Sequence, residues 1–266
     1  MQGSSPSRAL LGFHLSGPQA SDGRHIIPFY GHTFNKDTWV PDADIAYFNV
    51  GGGMGYIPTE SWTSSFLGHD DNFGPNYCVP RLYAKPENVE YVVELLPAGY
   101  RFDGIAAEAI ALQLLYSLDR KLASYKGNPW MRRLAEITDQ NVQRVVLRSI
   151  AVSRDTYLAS LREMNDWDGN SERTRMASIL QKLLPDSLWV VEISSPQLFP
   201  ANERKLGEIV MNPFIAVDPI TGSNYDRFLF SRLPEKYLFL NKFDAGRPSF
   251  VDFPSGLKSH TPLLRI

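Results

Sequence analysis

The sequence predicts an α+β fold: a mostly antiparallel sheet built from the N- and C-terminal regions, with a helical region inserted between them. Three observations carry that prediction. Up to about Pro97, short apolar runs are separated by Gly, Pro and turn pairs, the texture of strands. From about Gly104 to Leu184, apolar residues recur three and four apart, the texture of helix. Past Leu188 the short runs return, so the order is β, α, β. Residues 1–97 are thus read as one set of strands, 98–187 as helical, and 188–266 as strands packing on the same core.

In the first region Ala9–His14, His25–Tyr30 and Ser65–Gly68 read as strands, and Val89–Leu96 as a strand or a short helix. The loop Gly51-Gly52-Gly53-Met54-Gly55 lacks the Lys-Ser/Thr of a phosphate-binding loop and reads as a hairpin connection. The first helix rests on Ile105, Ala109, Leu112, Leu115, Tyr116 and Leu122. Gly127-Asn128-Pro129 stops it, and Asn128 caps the next helix with Pro129 in its first position. A long helix is expected over Val142 to Met164, from Val145, Val146, Ile150, Val152, Tyr157, Leu158 and Leu161. Ser171 and Glu172 open a third, which ends at Pro185. Leu188–Ile193, Gly207–Met211, Phe228–Phe230 and Tyr237–Asn241 read as strands. Glu192 interrupts an otherwise apolar run, so it is expected to be paired, with Arg204 or Lys205. Trp39, Trp62 and Trp189 suit a core.

The 266 residues are 43% hydrophobic and 21% charged, an ordinary balance for a folded soluble chain. With 27 basic and 29 acidic residues the net charge is −2, which argues against a nucleic-acid partner held by a strong positive field. No run approaches the roughly 18 apolar residues of a membrane span, and the start of the chain has no signal-peptide core. The single cysteine, Cys78, cannot form an intramolecular disulfide, which fits a reducing, cytoplasmic setting. The sequence Cys78-Val79-Pro80 is poor helix, so Cys78 is expected to be buried and structural. No cofactor is expected.

Titratable residues cluster early. His25, His32 and His69 lie within 45 residues of one another, and Asp70, Asp71 and Asn72 follow His69 directly. His25 starts an apolar run just after the turn Ser21-Asp22-Gly23. A histidine there has a fixed backbone and a side chain at the sheet rim, which suits a general base. Two carboxylates at the end of another strand supply an acceptor that orients such a histidine. The bland alternatives are an ordinary half-buried histidine, and an Asp/Asn-rich turn that satisfies its own backbone. His25, His32, His69 and Asp70 or Asp71 could also ligate a divalent cation, though no His-x-x-x-His or Cys-x-x-Cys spacing supports this.

Residues 9–75 resemble the second half of a papain-like cysteine peptidase domain, of the kind related to the double-glycine leader peptidases. The resemblance is carried by Ala9-Leu10-Leu11-Gly12-Phe13, by His25-Ile26-Ile27-Pro28-Phe29-Tyr30-Gly31 and by Phe66-Leu67-Gly68-His69-Asp70-Asp71. It implies His25 as the catalytic base and Asp70 or Asp71 as its orienting acid. His32, Trp39, His69 and Asn72 are then substrate-binding candidates, for a peptide or protein substrate. The family's cysteine lies upstream of the histidine, and the 24 residues before His25 contain none. A His–Asp pair alone supplies acid–base chemistry only, so the resemblance implies a truncated or inactive form. A non-enzymatic peptide- or partner-binding protein and a metal-dependent hydrolase are the other two readings.

Overall fold

The structure is a computed structural model that describes residues 9–14, 24–35, 48–49, 55–83, 88–125, 127–139, 144–163, 172–216, 225–241, 249–255 and 257–265. The first strands in chain order are β1 (Ala9–His14), β2 (Arg24–Phe34), β3 (Phe48–Asn49), β4 (Gly55–Pro58), β5 (Thr63–Asp70), β6 (Gly74–Pro80) and β7 (Val89–Glu94). There follow helices α1 (Gly104–Ser117), α2 (Asp119–Ser124) and α3 (Pro129–Ile137), strand β8 (Val146–Ser153), and helices α4 (Arg154–Glu163) and α5 (Glu172–Leu183). The last strands are β9 (Ser187–Ser194), β10 (Arg204–Lys205), β11 (Gly207–Met211), β12 (Phe228–Leu233), β13 (Lys236–Asn241), β14 (Ser249–Pro254) and β15 (Thr261–Pro262). The class is α+β. Among the described residues, no helix is long and apolar enough to cross a membrane. The Gly51–Gly55 loop lies, apart from Gly55, outside the described residues.

The chain forms two units, Met1–Asp37 with Trp62–Ala98, and Thr38–Ser61 with Gly99–Ile266. The first holds a five-stranded sheet in the order β6-β5-β2-β1-β7, every neighbour antiparallel. Ile27 and Phe29 turn to one face and are buried with Val79, Phe66, Tyr77 and Val89. Period-two alternation sends Ile26 and Pro28 to the other face. β2 and β5 approach closely at Gly68, where a Cβ would stand 2.7 Å from Ile27 Cγ2 and 3.1 Å from the Pro28 carbonyl oxygen. Only glycine fits there without moving backbone.

The second unit holds an eight-stranded sheet in the order β14-β13-β12-β11-β9-β8-β4-β3, in which only β4 and β8 are parallel. β9 runs through its middle and is buried on both faces. Trp189, Val191 and Ile193 pack with α1 and α3 residues such as Leu112, Leu115 and Leu134. Leu188 and Val190 pack on the other side with Tyr157, Leu158 and Leu161 of α4 and Leu180 of α5. A strand covered on both faces reads as an unbroken apolar run, which is how Leu188–Ile193 appears in the sequence.

Two expectations change here. The long helix over Val142 to Met164 is a strand followed by a helix. Val146, Leu147, Ile150 and Val152 belong to β8, where β-branched side chains pack well between α1 and α4. The helix begins only at Arg154, with Ser153 Oγ accepting from the Thr156 N–H at 3.1 Å. Nor do both flanks feed one sheet equally. Among the described residues of the first 97, β3 and β4 join the large sheet and the other five strands form their own.

The cap at Asn128 is as expected. Its Oδ1 accepts from the N–H groups of Trp130 at 2.8 Å and Met131 at 3.3 Å, and Pro129 opens α3. Its Nδ2 also donates to the Lys258 carbonyl at 2.9 Å. Asn128→Ala removes all three bonds, so thermal unfolding should show a loss of about 1–2 kcal/mol.

Candidate functional site

β2 begins at Arg24 because the hairpin with β1 closes there, pairing His25 with Phe13 and Arg24 with His14. β5 runs antiparallel to β2, with Phe29 opposite Gly68. The start of β2 and the end of β5 therefore lie at one rim of the sheet, so His25 and Asp70 come from strand ends on the same side. The His25 side chain lies outside the described residues, as does Trp39 altogether.

The structure separates the two carboxylates. Asp70 is 2% exposed, while Asp71 is exposed. Asp70 Oδ1 accepts from the N–H groups of Asn72 at 2.7 Å and Phe73 at 3.2 Å, which fixes the turn into β6. The Asn72 side chain is exposed in that turn. His69 is exposed, on the opposite side of the strand from Asp70, as neighbours in a strand must be. His32 lies seven positions along β2 from His25, on the order of 23 Å away at about 3.3 Å per residue. Its ring meets Phe34 edge-on, with centroids 4.3 Å apart. The rim thus gathers His25, Asp70, Asp71 and Asn72 and leaves His32 at the far end of its strand. Among the described residues, no three of His, Cys, Asp and Glu come together as metal ligands.

Cys78 is exposed, contrary to expectation. Val79 takes the buried position in β6, and alternation turns Cys78 outward beside its partner Leu67. The rim also holds a residue the sequence reading did not single out. Phe73 stands 72% exposed at the β5–β6 turn and stacks on Tyr77, centroids 5.1 Å apart and planes 13° from parallel. Its only trace in the sequence is an aromatic residue inside an Asp-Asp-Asn-Phe-Gly turn.

The second unit buries two polar clusters. Register aligns Arg148, Glu192, Glu208 and Arg232 in one row across β8, β9, β11 and β12. The two glutamates are directly opposed, a repulsive arrangement by itself. Lys205 answers it by donating to both, 2.6 Å from Glu192 Oε1 and 2.6 Å from Glu208 Oε2. Arg232 Nε donates to Glu208 Oε1 at 2.7 Å, and so does the Tyr157 hydroxyl at 2.7 Å. Burial alone would raise the Glu208 carboxyl, but Arg232 and Lys205 outweigh it and hold that group well below the usual carboxylate range. The expected partner of Glu192 is therefore Lys205.

The second cluster centres on Glu108 of α1, also buried. The Tyr56 hydroxyl of β4 donates to its Oε2 at 2.6 Å, and Ser149 of β8 donates to its Oε1 through N–H and Oγ, each at 3.0 Å. Burial and the charge of Glu60 push Glu108 up to about 8, against the hydrogen bonds from Tyr56 and Ser149. The carboxylates of both clusters are buried, and their partners tie strands and helices together.

No family model, no curated protein and no solved structure matches this chain.

Proposed function

We propose that the first unit carries the histidine–acid half of a papain-like hydrolase site, with His25 as general base and Asp70 as its orienting carboxylate. The observation that supports this is Asp70 itself: a buried carboxylate, anchored by two backbone N–H groups, at the strand end on the rim where β2 begins at His25. An orienting acid must be immobile and shielded, and Asp70 is both while Asp71 is neither. In such a site the histidine takes the proton of a thiol as it attacks a carbonyl carbon, then returns it to the departing amine. The pair by itself supplies only the proton transfers. Cys78 stands opposite Leu67, three positions back along β5 from Asp70 and so on the order of 10 Å from the rim. It is not placed to serve as the nucleophile.

The test is the NMR titration of the His25 imidazole. With Asp70 as partner its pKa should lie above about 6.5, because a neighbouring carboxylate favours the imidazolium. Asp70→Asn keeps an acceptor for the turn and should lower the His25 pKa by about one unit, while Asp71→Asn leaves it in place. An unchanged His25 in Asp70→Asn overturns the reading.

One observation favours a second reading, that of a binding module. Register aligns Ile26 and Tyr91 with Gly12, and Pro28 and Val93 with Leu10, so these four share one sheet face. All four are exposed, Ile26 at 52%. An exposed apolar patch of this kind suits a protein partner. On this reading an apolar fluorescent dye binds the native chain, and the double variant Ile26→Ser, Val93→Ser loses most of that signal.

A further inference from the structure

Phe73 is exposed but not loose. Its backbone N–H is held by Asp70 Oδ1, and one face of its ring lies on Tyr77. Tyr77 in turn packs against the cluster of Ile27, Phe29 and Val79. The outer ring is thus footed on the core of the unit, and its 72% exposure leaves most of its own surface to solvent. Rings that extend an existing stack do so in offset or edge-on geometry, and each such pair contributes beyond the area it buries.

We propose that the Phe73–Tyr77 stack is the aromatic subsite of the rim, and that it takes an aromatic side chain of a peptide-like ligand as a third ring. The proposal rests on the reading of His25 and Asp70 as a hydrolase pair, because Asp70 is the group that joins the two. The carboxylate that would orient His25 also fixes the backbone of Phe73, so a ring seated on Phe73 has its own amide chain at the rim. Charge favours a peptide over a nucleotide here. Asp71, next to the stack, is exposed, and the chain carries a net charge of −2, both of which repel phosphate.

The experiment is an NMR titration with N-acetyl-phenylalanine methylamide, with N-acetyl-leucine methylamide and adenosine monophosphate as comparisons. The phenylalanine probe should shift the ring signals of Phe73 and Tyr77 and the imidazole signal of His25. It should bind about three- to ten-fold more tightly than the leucine probe, the range expected of one offset ring pair. Phe73→Leu should erase that preference and Phe73→Trp should keep it; a residue so exposed can be changed without threatening the fold. Equal affinity for the two amides, a preference that survives Phe73→Leu, tighter binding of the nucleotide, or shifts at Phe73 without any at His25 would each overturn the proposal. Failure of the underlying hydrolase reading shows separately, as a His25 titration indifferent to Asp70→Asn.

Discussion

Lys205→Met is expected to destabilise the second unit by about 3–5 kcal/mol, a large share of the 5–15 kcal/mol typical of a whole domain. Lys205 touches both Glu192 and Glu208 at 2.6 Å, and register sets those two carboxylates opposite each other in the sheet. Without it, Arg232 still serves Glu208 at 2.7 Å, but Glu192 is left with Arg148 at 3.5 Å and the Leu264 N–H at 2.6 Å. A buried carboxylate stripped of its cation costs far more than the intact pair contributes. The double variant Glu192→Leu, Lys205→Met should therefore be less destabilised than Lys205→Met alone. Urea unfolding of the three proteins measures both differences, and a double variant worse than the single one would show that the row is not held by charge pairing.

The second large effect is a pH dependence located at Glu108. Its carboxyl is raised to about 8 in the folded chain by burial and by the charge of Glu60, against an ordinary value of 4.5. Below pH 4.5 the group is protonated whether the chain is folded or not, and its contribution to stability is fully present. As pH rises from there, the unfolded chain loses the proton while the folded chain keeps it, and stability falls by up to about 1.4 kcal/mol per pH unit. The decline ends once the folded group itself ionises near pH 8. Glu108→Gln cannot ionise and keeps an acceptor for Ser149, so its stability should be flat where the parent declines. The measurement is urea unfolding at pH 5, 6, 7 and 8, and parallel curves for the two proteins would remove Glu108 as the source. Glu208 contributes little in this window, because Arg232 and Lys205 hold its carboxyl well below the usual carboxylate range.

Local chemistry made some of this legible in the sequence. Asn128 before Pro129 announces a cap because both residues act within one turn. Glu192 in an apolar run announces a partner because an unpaired buried charge is too costly to keep. Cys78 faces outward because Val79 faces in, and a Cys-Val-Pro run carries no signal for which of the two turns to the core. The segment Val145–Leu161 misled because Val146, Ile150 and Val152 fit a helical pattern while their β-branched side chains belong to a central strand. The row of Arg148, Glu192, Glu208 and Arg232 could not be read at all, since it exists only once four strands take a common register. At the rim, His25 and Asp70 are readable as strand-end residues. The choice of Asp70 over Asp71 rests on burial, and the sequence carries no signal for that.

The course of the chain between the two units has a consequence for biosynthesis. Residues 1–37 and 62–98 build one unit, while 38–61 belong to the other. β4 therefore leaves the ribosome between two strands of a sheet it does not join; β3 precedes it, but its second partner β8 follows about ninety residues later, a separation that slows pairing. Until then Tyr56 and Ile57, both fully buried at the end, are without their shelter. The first sheet can close early only by looping this segment out, and the nascent chain carries a short β3–β4 ribbon, with one edge still open, through the synthesis of α1, α2 and α3. That interval is when a chaperone would have something to hold.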